Sequence, residues 1–285
     1  MRPVTAARSA DPAIAAVTFD FGNTLVPVGN AALREVVART AEKLAATSGP
    51  FAPADFVSIW HEERERQFAE EVPAGREVDI EQRIVRVLAR LRGRAAPSPE
   101  ARWNDAAAAA LSTPDERATA VDIYSAAFVD AVHSPPEVGP ILSRLAGRWS
   151  LAVLSNWPLA ATVDRFLEAA GWRDLFKAVV ISQRVGAIKP ASAMFEACQQ
   201  ELAVPGDRIL HVGDDWLADV VGAKRAGWQA AYLRGRQADS PLPSSRPDES
   251  VAADIVIDEL AELESAVDGL DGIGAGQVRM AAADR

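Results

Sequence analysis

Hydrophobic and polar positions follow two rhythms along the chain. Residues 14–21, Ile-Ala-Ala-Val-Thr-Phe-Asp-Phe, form a short, nearly unbroken apolar run, the pattern of a strand buried on both faces. From about residue 30 to 133 apolar residues return at helical spacing. Helices are predicted there over 30–47, 53–71, 79–93, 98–111 and 115–132, punctuated by Ser48-Gly49-Pro50, Pro73-Ala74-Gly75 and Pro97-Ser98-Pro99. Thr113 before Pro114, with Glu116 completing the turn, is a helix-start signature. Beyond Ser134-Pro135-Pro136 the rhythm changes. Short apolar runs at 150–155, 178–182, 208–212, 229–233 and 253–257 alternate with helical stretches near 137–147, 159–170, 190–202 and 217–226. Such alternation predicts βαβ units, right-handed crossovers and a parallel sheet. The strand at 14–21 cannot stand alone and must join that sheet. The expected fold is therefore α/β: a Rossmann-like parallel core over 13–28 and 136–262, interrupted by an inserted all-α domain over 29–135. Residues 235–250, rich in Pro and Ser, read as an exposed loop, and 263–285 as a flexible tail.

Composition narrows the function classes. Hydrophobic residues make up 49% and charged residues 25% of the 285, the balance of an ordinary globular chain. Forty acidic against thirty basic residues give a net charge of −10, which argues against a partner rich in phosphate charge such as nucleic acid. No run reaches the ~18 apolar residues of a membrane helix. Arg2 and Arg8 are followed by Asp11 and Pro12 with no apolar stretch between, so no signal peptide is expected. The lone cysteine, Cys198, cannot form an internal disulfide and fits a cytoplasmic location.

Ligands of a doubly wound sheet bind beyond the carboxyl ends of its strands. The first strand ends in Asp20-Phe21-Gly22-Asn23-Thr24-Leu25, the 150–155 strand in Ser155-Asn156, and the 208–212 strand in Gly213-Asp214-Asp215 with Asp219 following; Lys189-Pro190 lies between the last two. Pro190 is suited to the first position of a helix. Several carboxylates, a hydroxyl and a lysine would meet on one rim. Crowded carboxylates raise one another's pKa unless a cation intervenes, and a hard divalent ion such as Mg²⁺ is that cation.

These segments, in this order and on these elements, resemble the four motifs of the haloacid dehalogenase (HAD) superfamily of hydrolases. The insertion after the first motif resembles the C1-type helical cap of subfamily I. Leu151–Gly227, with Leu-Ser-Asn-Trp, Val-Gly-Ala-Ile-Lys-Pro and Asp-Val-Val-Gly-Ala-Lys-Arg-Ala-Gly, is similar to that subfamily beyond the motifs. The resemblance implies a phosphatase acting on a small phosphorylated metabolite. In it Asp20 is the nucleophile that forms an aspartyl-phosphate. Ser155 and Lys189 hold the phosphoryl oxygens, and Asn23, Thr24 and Asn156 line the substrate. Asp20, the Gly22 carbonyl and Asp214 hold Mg²⁺, with Asp215 or Asp219 assisting.

One position departs from the phosphatase pattern. Two residues after the nucleophile that pattern has a second aspartate, a general acid and base; here stands Gly22. Loss of a general acid typically costs ~10²–10⁴-fold. The alternatives are therefore a 2-haloacid dehalogenase, which also lacks that aspartate, and a weakly catalytic binding or regulatory member. Gly22 could also mark a backbone needing positive φ. The insertion offers Trp60, His61, Arg64, Arg83 and Arg86 as groups that could reach substrate, against the plainer reading of a solvated face around Glu62–Arg66. Trp157 could stack on a ring or merely pack. His211 and Cys198 read as satisfied interior residues. Gly272-Ile273-Gly274-Ala275-Gly276 has neither the strand before it nor the helix after it that a dinucleotide loop requires.

Overall fold

The computed structural model describes residues 14–95, 110–235, 238–249 and 251–270. The predicted helix over 98–111 falls almost wholly outside the described residues, as do residues 1–13, the glycines around Gly274 and the tail from 271 onward.

Six parallel strands form one sheet: β1 Ala16–Phe19, β2 Ser150–Ser155, β3 Phe176–Ile181, β4 Ile209–Gly213, β5 Gln229–Leu233 and β6 Ile255–Ile257. Their order is β3-β2-β1-β4-β5-β6. The first strand is central, as its apolar run requires: Ala16 to Phe19 are wholly buried. Alternation then divides the side chains. Val17, Phe19, Leu151, Val153, Leu210 and Val212 enter one apolar cluster, while Ala16, Ala152, Leu154 and Ile209 enter another on the opposite face. The order reverses direction between β1 and β4, and a sheet of this kind opens its ligand crevice at that switch point. Asp20 N–H donates to the Val212 carbonyl, so the chain leaves β1 directly beside the end of β4.

The insertion is helical throughout its described part: α1 Asn30–Thr47, α2 Pro53–Glu70, α3 Ile80–Leu91 and α4 Pro114–Ala131. Thr113 caps α4, its hydroxyl accepting from Glu116 N–H at 3.2 Å with Pro114 next in line. Phe56, Trp60, Tyr124 and Phe128 of these helices belong to the same apolar cluster as β1. The insertion thus shares a core with the sheet's face. Around the sheet run α5 Val138–Ala146, α6 Ala160–Ala169 and α7 Ser192–Leu202. After β4 the chain makes a π-helical turn, Trp216–Val221, and a short helix, Gly222–Arg225.

Two local expectations change. The Lys189–Pro190 bond is cis, and α7 begins only at Ser192, so Pro190 does not open that helix. Residues 238–249 are, as expected, an irregular and mostly exposed loop, tied to the rim as a strap. Residues 263–270 are helical, with Leu263 and Val267 fully buried one turn apart, so the tail starts later than its polar composition implies. No described helix is long and apolar enough to cross a membrane.

Candidate active site

Lys189 is the hub of the rim. Its ammonium lies 2.8 Å from Asp20 Oδ1 and 2.6 Å from Asp219 Oδ1, and donates to the Leu154 carbonyl at 2.7 Å. Lys189 and Asp219 are each 2% exposed and Asp20 9%. Asn156 sets the lysine's backbone: its Oδ1 accepts from Lys189 N–H at 2.7 Å while its Nδ2 donates to the Lys189 carbonyl at 3.0 Å. Asn156 thus shapes the lysine loop.

A second layer supports the first. His211 Nε2 lies 3.1 Å from Asp219 Oδ1 and its Nδ1 lies 2.8 Å from Thr18 Oγ1. Thr18 and His211 are register partners on β1 and β4, so the sheet brings them together. Sequence reasoning misses this relay. Its only signal is a polar residue at the same depth in each of two buried strands.

Electrostatics follow from the burial. Burial pushes the Asp20 carboxyl up to about 6, Lys189 opposing and Asp219 adding to the rise. Burial opposes the charged form of Lys189, but Asp20 and Asp219 outweigh it and hold the lysine above its ordinary value. For Asp219, burial is overcome by Lys189 and His211, which hold it well below the usual carboxylate range. Burial and the Lys189 charge keep His211 below its usual value and neutral. One ammonium thus serves two carboxylates, with Asp214 a third buried carboxylate on the neighbouring strand end.

Asp214 accepts from Thr24 Oγ1 at 3.4 Å, so Thr24 points at that carboxylate. Asn23 is a turn-former with φ 60°; its Oδ1 accepts from Val28 N–H and its Nδ2 donates to Ser240 Oγ. Ser155 Oγ is fully buried beside Asp20, close enough to favour its charged form slightly, yet makes no well-formed hydrogen bond. Asp215 makes local hydrogen bonds. Its Oδ1 caps the π-helical turn at Ala218 N–H and accepts from Ser245 Oγ, and its Oδ2 accepts from Ser245 N–H, each at 2.7 Å. Asp219 is equally committed, to Lys189, His211 and Asp215 N–H.

Gly22 does not have positive φ; the following Asn23 does. What limits a side chain there is space. A Cβ there would stand 2.6 Å from Leu242 Cδ1 and 3.0 Å from Trp157 Cζ3. Leu242 belongs to the strap, which is pinned by Ser240 to Asn23, by the Asp239 carbonyl to Asn30 Nδ2, and by Ser245 to Asp215. Trp157 packs edge-on against Phe21 and Phe128, with centroids at 5.1 and 5.4 Å. In the insertion, Arg86 pairs with buried Glu63 at 2.7 Å, Arg64 pairs with Glu65, and His61 is exposed.

A family model described as haloacid dehalogenase-like hydrolase matches residues 14–227. The 5-amino-6-(5-phospho-D-ribitylamino)uracil phosphatase YigB of Escherichia coli K12 is 34% identical over 122 residues, 43% of this chain and 49% of the relative. The pyrimidine 5'-nucleotidase YjjG of the same strain is 29% identical over 45% of this chain and 54% of its own. The chain thus aligns with about half the length of these curated relatives. Among solved structures, a 2-haloacid dehalogenase from Pseudomonas syringae pv. Tomato superposes with a TM-score of 0.63 at 23% identity, covering 90% of this chain and 99% of that one. A HAD phosphatase from Thermococcus onnurineus gives 0.54 at 19%, covering 88% and 97%. At such identities the likeness is one of fold.

Proposed function

The chain belongs to the haloacid dehalogenase-like hydrolases, and on that premise we propose that it is a cytoplasmic, Mg²⁺-dependent phosphatase acting on a small phosphorylated metabolite through an aspartyl-phosphate. The observation that carries the reading is the charge balance at the switch point: the Lys189 ammonium is shared by two buried carboxylates, Asp20 and Asp219, with buried Asp214 at the end of β4. Two carboxylates thus face one ammonium. Asp20, Asp214 and the Gly22 carbonyl are hard oxygen donors, the set Mg²⁺ takes when it keeps several waters. Among the described residues no three acidic, His or Cys side chains gather into a metal-holding group. The residues fit the ion. When bound, it supplies positive charge to the phosphoryl oxygens. Phosphatase and nucleotidase activities are those named for both curated relatives, which supports the same substrate class.

In this mechanism the Asp20 oxygen not held by Lys189 attacks phosphorus. The ester P–O bond breaks, and the departing oxygen takes a proton from water, since Gly22 has none to give. Lys189 and the unpartnered Ser155 hydroxyl hold phosphoryl oxygens, the positioning and charge neutralisation that phosphoryl transfer chiefly requires. Water then attacks phosphorus, releasing phosphate and freeing Asp20. Turnover of a panel of phosphate esters, lost on EDTA treatment, restored by Mg²⁺ and abolished in Asp20→Asn, tests the reading; a tenth of the activity surviving in Asp20→Asn overturns it. The glycine at position 22 favours one second reading, a 2-haloacid dehalogenase. Chloride release from 2-chloropropionate, undiminished by EDTA, would establish that reading instead.

A further inference from the structure

Arg83, on α3, is 4% exposed, and its Nε donates to Gln67 Oε1 at 2.7 Å. The rest of its guanidinium makes no hydrogen bond among the described residues. It lies 4.8 Å over the Trp60 ring. Tyr124, on α4, is 6% exposed and stacked on the same ring at 5.6 Å, and its hydroxyl likewise lacks a hydrogen bond among the described residues. Nearby arginines are spent differently: Arg66, Arg86 and Arg90 all bind Glu63. The carboxylates near Arg83 are committed elsewhere. Asp79 caps α3 at Gln82 N–H and accepts from Gln183 Nε2; Glu77 accepts from Ser182 Oγ and Val78 N–H. Burial, with the Arg64 charge adding to it, pulls the Arg83 guanidinium down to about 10. Burial pushes the Tyr124 hydroxyl up to about 12.

Among the described residues neither the remaining Arg83 N–H groups nor the Tyr124 hydroxyl is a fully enclosed atom without a partner, so both keep donors that a ligand entering the seam can reach. A planar fork of N–H donors beside a phenol is suited to a carboxylate or phosphate. The cluster stands at the seam between insertion and core. Ile80 N–H donates to the Pro158 carbonyl at 2.9 Å, and Ser182 Oγ bridges Glu77 and Trp157 N–H. Trp157 in turn flanks Gly22, and Phe128, one turn after Tyr124, packs on Trp157.

We infer that Arg83 and Tyr124 form a subsite for a second anionic group carried by the substrate, remote from its phosphoryl group. The inference rests on the phosphatase reading for its substrate class, but it can be tested apart from it. Two matched pairs separate a second carboxylate from a second phosphate: glycerol 3-phosphate against 3-phosphoglycerate, and fructose 6-phosphate against fructose 1,6-bisphosphate. The wild type should prefer the doubly anionic member of at least one pair by about tenfold in kcat/KM, mostly through KM, the worth of one charge-assisted hydrogen bond. Arg83→Met should bring that ratio to about one, Arg83→Lys should keep part of it, and Tyr124→Phe should lower it. If circular dichroism shows Arg83→Met unfolded, the other two variants decide. Equal handling of both pairs, or a preference that survives the variants, overturns the inference. Calorimetric binding of the same pairs to Asp20→Asn protein reads the ratio without turnover. Discrimination there with no activity in the wild type would sink only the phosphatase reading; absence of discrimination would sink the subsite.

Discussion

Gly22 and Leu242 are best understood as one feature. The volume a general acid would fill above Gly22 is occupied by the Leu242 methyl, which lies 2.6 Å from where a Cβ at position 22 would stand. In the proposed mechanism protonation of the leaving group is left to water, so wild-type rates should fall steeply as leaving-group pKa rises. Aryl and acyl phosphates should exceed simple alkyl esters by ~10²-fold or more. Gly22→Asp alone collides with Leu242 and Trp157 and should gain nothing. Gly22→Asp with Leu242→Ala should speed the alkyl esters and flatten the plot of rate against leaving-group pKa; an already flat wild-type plot would show that another group gives the proton. Lys189 carries a different expectation. Lys189→Met strands two buried carboxylates, so unfolding by urea should show a loss of about 3–5 kcal/mol along with lost turnover. At this scale the sequence made Asp20, Ser155, Lys189 and Asp214 legible, because each closes a strand or precedes a helix on one rim. It hid the local commitments of Asn23, Thr24, Asn156 and Asp215. Short polar side chains bond to whichever backbone group the fold presents, and that partner is set by tertiary structure.

Among elements, the helices and strands were legible because their periodicity was sustained: α1 and β2 occupy the predicted 30–47 and 150–155. The strap at 238–249 was not. Its composition is that of a loop, and its role depends on one apolar residue, Leu242, and two serines, which carry no period. The 263–270 helix was masked by its polar composition, although Leu263 and Val267 stood at helical spacing. The strap gives Asp215 a structural duty that can be measured. Asp215→Ala removes the cap of the π-helical turn and the anchor of Ser245, and thermal unfolding should report a loss of about 0.5–2 kcal/mol. Mg²⁺ affinity by calorimetry should hold within about twofold. A large fall in affinity would return Asp215 to the metal site.

For the whole molecule, the sheet's switch point concentrates charge that the fold alone does not neutralise, and the sign of the resulting pH dependence can be worked out. In the metal-free protein, burial raises the Asp20 carboxyl from 3.8 to about 6. The folded state then holds that proton more tightly than the unfolded chain. Its stabilising share is complete below pH 4 and is lost as pH rises through about 6. Asp219 runs the other way: held below its ordinary value, it contributes stability above that value and loses it in stronger acid. The two windows do not overlap, but Glu77 and Asp79, whose carboxyls burial also raises, add to the Asp20 decline above pH 4, so the Asp20 share is read as the difference from Asp20→Asn. On the proposed reading Mg²⁺ competes for the same carboxylate, because its ligand must be deprotonated. The rise in Tm on adding Mg²⁺ should therefore be small at pH 5, grow through pH 6 and level off by pH 7.5. Asp20→Asn should remove the Asp20 share of the metal-free decline across this interval and most of the Mg²⁺ response. A Mg²⁺-induced shift that is the same at pH 5 and 7.5, or that persists in Asp20→Asn, would place the ion away from Asp20 and overturn the charge argument on which the proposed chemistry stands.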